Sequence, residues 1–411
     1  MKYYFVGIKG SGMAGLALII KGLGNNVKGA DVDKYLFTQR YLDESNIEIE
    51  SLSNMNYQDS DIIVLGNSYI DKYEFKDKLV ITYQQLLAEI VDKYYSIAVC
   101  GTHGKTTTTN MIKQVLSDNF LTNYLVGDGQ GYADKKSKYF VFEACEHREH
   151  FLSYKPNLIV CLNIDYDHVE YYSSKKQYKQ SFIKFFKQAK DKVLLNSNIS
   201  YDKNSIRFGF NNSLINAKNI KYRDDGICFD LIVNKTSYLN QHLPFYGKHM
   251  LIDALACISC CNYLNIPIEK IISSLKNYKD AGRRYNLSFY NNNVIVDDYG
   301  HHPTEIKATI RAIKQEFKEK DLIVIYHPDR PKRLKTFKDD YIKAFYETNK
   351  TYVLPFLKTD EEGKQAINSI VDKIKIFNFE DSFFKQYTNT VFLFTGSKEM
   401  GHLIKKLIIF L

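Results

Sequence analysis

The segment Gly101-Thr-His-Gly-Lys-Thr-Thr107 constrains this chain more than any other. It follows an apolar run, Ser96-Ile-Ala-Val-Cys100, and leads into a stretch with helical spacing from Thr107 to Leu116. A glycine loop between strand and helix turns backbone N–H groups inward, and the helix adds the positive end of its dipole. Together they cradle phosphate. In that setting Lys105 can reach the β and γ phosphates of ATP, and the Thr106 hydroxyl can sit on Mg²⁺. Gly101, Thr102, His103, Gly104, Lys105, Thr106 and Thr107 are therefore the candidate ATP contacts. The commonest phosphate loop has about four residues between its first glycine and its Gly-Lys pair. Here only Thr102 and His103 intervene, so a Gly/Thr-rich turn with a solvated lysine is the alternative.

The strand–loop–helix pattern occurs three times. Tyr3–Ile8 precedes glycines and a helix from Met13 to Lys21, and Val294–Asp298 precedes His301-His-Pro and a helix from Thr304 to about Phe317. Further buried strands are expected at Asp61–Leu65, Tyr139–Glu143, Leu158–Asn163, Lys192–Asn196, Leu322–Tyr326, Thr351–Leu354 and Val391–Phe394. Strands alternating with helices predict an α/β fold with mainly parallel sheets. Boundaries near residues 94 and 280 divide the chain into 1–93, 94–279 and 280–411. The C-terminal Leu403–Leu411 reads as a helix or strand packed on the last domain.

Composition narrows the classes. The 411 residues carry a net charge of +9, but the basic residues are scattered, with no basic element interleaved with aromatics, so nucleic acid is not expected. A mild positive excess suits an anionic small substrate equally well. The seven cysteines form no paired C-x-x-C units, since Cys257-Ile-Ser-Cys260 has no second such unit to join, and Cys260-Cys261 sit in an apolar stretch. Reduced thiols in a cytoplasmic protein are expected, with no disulfide framework or zinc site. The N-terminus lacks a signal-peptide pattern and no apolar run is long enough to span a membrane.

A second glycine loop opens the chain. Gly10, Ser11, Gly12 and Met13 lie in a G-x-G-x-x-G pattern completed by Gly15, and Asp31 and Asp33 stand where a ribose-binding carboxylate would. NAD(P), a diphosphate-linked sugar such as a UDP-sugar, or only a tight turn all fit this loop. Glu143 and His168 each follow a strand, at the edge where the phosphate loop also lies. With Thr106 they form a candidate Mg²⁺ set, although nitrogen ligation of this ion is unusual. A surface salt bridge for Glu143 and a hydrogen-bonded turn for His168 are the plainer alternatives. In Glu146-His-Arg-Glu-His150, His147 and His150 have no evident third ligand, so a solvated loop or a substrate contact fits better than zinc.

Taken together, the chain resembles the Mur ligase family of peptidoglycan synthesis, and within it the alanine-adding branch. The likeness is carried by Gly7–Met13, Gly101–Thr109, Phe142–Glu146, Asn163–His168, Gly247-Lys-His249 with Ala254-Leu-Ala256, Gly282-Arg-Arg284 and Asp297–Glu305. It implies three domains: a Rossmann-like UDP-binding domain, a central ATP-binding domain and a C-terminal Rossmann-like domain for the amino acid. It also implies an ATP-dependent carboxylate–amine ligase whose substrates are UDP-N-acetylmuramate and L-alanine. Gly10, Ser11, Gly12, Met13 and Asp31 would bind the UDP substrate. Lys105 and Thr106 would serve the phosphates and Mg²⁺, and Glu143 and His168 the metal. The resemblance further places His249 near the adenine, Arg283 at the hinge and reacting phosphate, and Asp297 beside the ribose. Tyr299, His301, Arg330 and Arg333 would serve the amino acid, with His301 positioning or deprotonating the amine. The chain departs from the family at Met250 and Asp253, at Gly396-Ser-Lys-Glu399 and at Glu146-His-Arg148. A monomer or weak homodimer is expected. The rival readings are a sibling ligase with another amino acid or peptide, an NAD-dependent dehydrogenase, and a non-catalytic nucleotide-binding relative.

Overall fold

The computed structural model describes all residues except 60, 202–204, 211–212, 224, 280–282, 357–360, 372–374, 377–386, 399 and 411. Gly282, Glu399 and Leu411 thus lie outside the described residues.

Three sheets organise the chain. The first orders its strands Glu48–Ser51, Asn26–Asp31, Lys2–Val6, Asp61–Leu65 and Val80–Thr82, all parallel. The second has ten strands. Tyr95–Cys100, which feeds the phosphate loop, lies between Leu158–Cys161 and Tyr139–Glu143, parallel to both. The third pairs Asn293–Asp298 with Thr390–Thr395, which in turn pairs Asp321–Tyr326, again in parallel. The chain is an α/β protein of three domains. The apolar runs became the central strands because both of their faces are covered, and Ile97 to Cys100 are fully buried.

Register explains why the candidate residues gather. Val99 pairs with Glu143 and Cys100 with Cys161, so the phosphate loop, Glu143 and Asn163 leave the sheet at one level. In the third sheet Asp298, Thr395 and Tyr326 align in the same way. In open α/β sheets this carboxyl edge is where ligands bind.

Residues 205–243, where no element is expected from the sequence pattern, form the strands Ser205–Gly209, Ile215–Arg223, Gly226–Val233 and Thr236–Leu243. The last three are antiparallel neighbours that extend the central sheet. Bulges in Ile215–Arg223 and in Thr236–Leu243 break the two-residue alternation of those strands, whereas Gly226–Val233 between them keeps it. Cys257, Cys260 and Cys261 are buried on the helix Lys248–Tyr263, and all seven cysteines are free. Gly401–Phe410 is a helix whose Leu403 is buried. Among the described residues, no helix is long and apolar enough to cross a membrane.

The two domain junctions differ in kind. The first domain's helix Ser11–Gly22 shares one apolar cluster with the central domain, joining Leu16 and Ile20 to Leu125, Ala133 and Phe140. The approach is close enough to require glycine, since a Cβ on Gly131 would lie 2.0 Å from the Gly15 carbonyl oxygen. The third glycine of the opening motif is therefore a docking residue. Replacing Gly131 with Ala should lower the melting temperature, by an overpacking cost of about 1–3 kcal/mol. The control Gly401→Ala, whose Cβ would meet nothing within 4 Å, should not. Equal melts for the two variants would refute this account of the junction.

Candidate active site

The phosphate loop is built around left-handed glycines, with φ of 143° at Gly101 and 82° at Gly104. The helix Lys105–Ser117 starts directly after Gly104. Lys105 Nζ donates to the carbonyls of Gly101 (2.6 Å) and Thr102 (3.0 Å), and it pairs with Glu146 Oε2 at 3.0 Å. Glu146 is buried, with 1% of its surface exposed. Burial opposes the charge on Lys105, but Glu146 outweighs it and raises the lysine pKa. Burial likewise opposes the Glu146 carboxylate, yet Lys105 and His168 bring its pKa down to about 2. The pair is thus charged on both sides.

Thr106 Oγ1 donates to Glu143 Oε2 at 2.9 Å. A Cβ on Gly127 would lie 2.2 Å from that oxygen, so glycine alone leaves the carboxylate room. A hydroxyl and a carboxylate side by side at a phosphate loop are hard oxygen donors, and this pair fits Mg²⁺. His168 is engaged elsewhere: Nε2 lies 3.3 Å from Glu146 and Nδ1 3.5 Å from Glu170. It stands in the left-handed region at φ 52°. His147 also lies 3.5 Å from Glu170, which gives it companions the sequence did not reveal. His150 turns instead to Asn67, at 3.5 Å.

The Thr106–Glu143 hydrogen bond stands between two cavities: Glu143 lines one, and Arg284, which reaches Thr106, lines the other. One, of about 530 Å³, is lined by Gly10, Ser11, Gly12, Met13, Asp31 and Tyr69 at one end and by Glu143, Cys145, His147 and His150 at the other. Asp31 holds its own loop, accepting from the backbone N–H of Lys9 (2.6 Å) and of Val32 (2.7 Å). The other, of about 380 Å³, lies between His103, Gly104, Thr107, His249 and Asp253 on the central domain and Arg284, Asp298 and Glu305 on the third. Met250 and Asp253, where the chain departs from the family, both line it.

Several candidate residues of the third domain are partnered within the protein. Arg283 does not face the phosphate loop; its Nε donates to Asp297 at 2.8 Å and its Nη1 to the Lys398 carbonyl at 2.7 Å. The neighbouring Arg284 does, with Nη2 3.3 Å from Thr106 Oγ1 and its guanidinium over the Tyr299 ring at 4.6 Å. Asp297 is thereby occupied, and Asp298 lines the interdomain cavity, because successive strand residues point to opposite faces. Arg333 is buried, its fork bidentate on Asp167 at 2.9 and 3.1 Å, with Nη1 on Asp329. It clamps the third domain to the central one. Arg330 is more open and pairs with Glu170. Tyr299 and His301 stand together, rings 5.5 Å apart. Burial, only partly opposed by Glu305, lowers the His301 pKa. Sequence reasoning also passed over Glu146, Asp165 and Glu305, three acidic residues that lie inside recognisable motifs. Only their partners across the fold mark them out.

A glycine cradle with a lysine paired to a buried glutamate, an oxygen pair fit for a divalent cation and a nucleotide-sized cavity between domains define a class: multidomain enzymes that work on phosphates at an interdomain cleft. The comparisons are more specific. Residues 2–95 match the Mur ligase family catalytic domain, 99–261 the Mur ligase middle domain and 283–394 the Mur ligase glutamate ligase domain. The chain belongs to the Mur ligase family. Its fold is similar to that of UDP-N-acetylmuramate-alanine ligase from Thermotoga maritima, at TM-score 0.81 and 23% identity over 100% of this chain and 98% of that one. The murein peptide ligase of Psychrobacter arcticus matches at 0.71 and 19%, over 99% of each chain. A MurF ligase from Thermotoga maritima, solved with ADP, matches at 0.67 and 16%, over 100% of this chain and 96% of that one.

The Lys105–Glu146 pair carries a pH signature. The Glu146 pKa is depressed in the folded state, so its contribution is present above the unfolded carboxylate value of about 4.3 and is lost as pH falls toward about 2. Acid unfolding of Glu146→Gln should therefore show a flatter stability profile than wild type across that window. At neutral pH the variant should also be less stable, since breaking a buried pair costs about 3–5 kcal/mol. Parallel profiles would remove the pair from this role.

Proposed function

We propose that this chain joins L-alanine to the lactyl carboxylate of UDP-N-acetylmuramate, with hydrolysis of ATP to ADP and phosphate, as a step of peptidoglycan precursor synthesis. The observation that carries the reading is the contact chain between two cavities: Glu143 of the first accepts from Thr106, and Arg284 of the second reaches the same hydroxyl at 3.3 Å. The cavity behind the opening glycine loop reaches Glu143, and the nucleotide cavity begins at His103 and Gly104. A substrate held in the first therefore presents its far end to a nucleotide held in the second. On this reading the domains 1–93, 94–279 and 280–411 bind the UDP substrate, ATP and the amino acid respectively.

The chemistry follows from charge. A carboxylate and a triphosphate repel one another, so cations must surround the phosphate that is transferred. Lys105 and Arg284 supply them, the lysine from the loop and the arginine from the third domain. Thr106 and Glu143 would hold Mg²⁺, which supplies charge neutralisation on the phosphates when bound. A carboxylate oxygen attacks the γ-phosphorus, the β–γ bridging bond breaks and ADP leaves. The alanine nitrogen then attacks the carbonyl carbon of the acyl phosphate, inorganic phosphate leaves, and the amine proton needs an acceptor. His301 suits that role. Its Nδ1 lies 3.3 Å from the Tyr299 carbonyl, which leaves Nε2 with a lone pair, and its lowered pKa keeps the ring neutral. Arg330 is the arginine open enough to receive the alanine carboxylate, for which a planar fork is suited.

Phosphate release with ATP, Mg²⁺, UDP-N-acetylmuramate and single amino acids tests the assignment. Alanine should give release well above glycine, serine or no amino acid. Equal release with all of them would sink the alanine assignment, and release driven only by a peptide would favour a murein-peptide ligase. Lys105→Ala should lose activity by about 10²–10³-fold. Arg284→Ala should lose more than Arg283→Ala; the reverse order would return the phosphate role to Arg283.

A further inference from the structure

The second of the two residues between the loop's glycines, His103, makes contacts that phosphate binding does not require. His103 turns Nε2 to Asp165 Oδ2 at 3.0 Å and Nδ1 to Glu305 Oε1 at 3.2 Å. Asp165 belongs to the central domain and Glu305 to the third. A neutral imidazole has one N–H and would leave one carboxylate facing a lone pair. Only the imidazolium donates to both. The backbone leaves the ring little freedom, because His103 N donates to Asn163 Oδ1 at 2.9 Å and Asn163 Nδ2 donates back to the His103 carbonyl at 3.0 Å.

Both carboxylates lead further into the third domain. Thr304 Oγ1 donates to Asp165 at 2.6 Å. Glu305 Oε2 accepts from the backbone N–H of His301 and His302, closing the cap of the helix Pro303–Glu316. His103 also lines the nucleotide cavity beside Gly104 and Thr107, opposite Arg284 and Glu305.

We propose that His103 is a positioning residue: as a cation shared by Asp165 and Glu305, it latches the third domain onto the phosphate loop, so that nucleotide contact and domain docking depend on one side chain. The groups around it agree. Burial opposes the charge on His103, but Glu305 and Asp165 overcome it and raise the pKa to about 9. His302, whose ring lies 4.7 Å away, is pushed down to about 4, first by burial and then by the charge on His103, so it adds no competing cation. Arg284 acts on Glu305 from the third domain and the His301 backbone N–H donates to it, and both help keep it ionised. Since the His103 pKa is raised, the latch is closed at lower pH and is released as pH rises through about 9.

Small-angle X-ray scattering of the full chain with a non-hydrolysable ATP analogue reads docking without turnover, so its outcome is separable from that of the ligase reading. His103→Gln and Glu305→Gln should each raise the radius of gyration at neutral pH, and the double variant should go no further than either. Glutamine still caps a helix at that position, so Glu305→Gln removes the charge and keeps the cap. Wild type should expand between about pH 8 and about pH 10, while His103→Arg, with a permanent charge, should stay compact across that range. Singles with the wild-type radius, an additive double variant, or a wild type that does not expand would each overturn the latch. If a variant loses its far-ultraviolet circular dichroism, the wild-type pH series carries the test.

Discussion

An ammonium group buried behind a glycine loop needs a counter-charge, and the site is arranged around that need. Lys105 finds it in Glu146, which is itself more than nine-tenths buried. Desolvation alone would neutralise either group, and their mutual attraction keeps both charged. Glu146 also accepts His168, which draws in Glu170 and through it His147 and Arg330. One buried pair thus sets the charge pattern from the phosphate loop to the third domain. An anion entering the loop meets a lysine already ionised and held among carbonyl oxygens.

The two junctions of the chain follow different physics. The first domain meets the central domain through packed apolar side chains and a glycine-to-backbone contact. The third meets it through an apolar contact of Val169 and Tyr166 with its core and through a set of charged and polar pairs: Arg333 with Asp167, Arg284 with Thr106, Thr304 with Asp165 and His103 with Glu305. Apolar packing is short-ranged and indifferent to pH. Ion pairs can exchange partners with water or with a bound anion at little net change, so a junction made of them can open and re-form. Arg333 shows how a residue suited to a ligand carboxylate serves such a junction: Asp167 and Asp329 present the same bidentate geometry a ligand would.

Much of the fold was legible because parallel strands covered on both faces read as unbroken apolar runs. Asp61–Leu65, Tyr139–Glu143 and Lys192–Asn196 appear as read. Helix starts were read a residue or two late, since Lys105 and Ser11 carry no apolar signal. Of the antiparallel strands from Ile215 to Leu243, the outer two were not legible because bulges interrupt their alternation, while Gly226–Val233 does alternate and was passed over between them.

The sequence by itself determined the chemistry on offer: a phosphate loop at 101–107, a second glycine loop at 7–15, and carboxylates and histidines placed after strands. Glycine spacing and apolar runs are local properties, and local properties survive in a linear reading. Partnership is not local. Whether Arg283 or Arg284 turns to Thr106, whether Asp297 or Asp298 lines the cavity between the second and third domains, and whether Arg333 is open or clamped depend on residues more than a hundred positions away or on a one-residue alternation of strand faces. His103 is the sharpest case. In the sequence it is one of two residues that shorten a loop, and only the docking of the third domain gives its ring a second carboxylate.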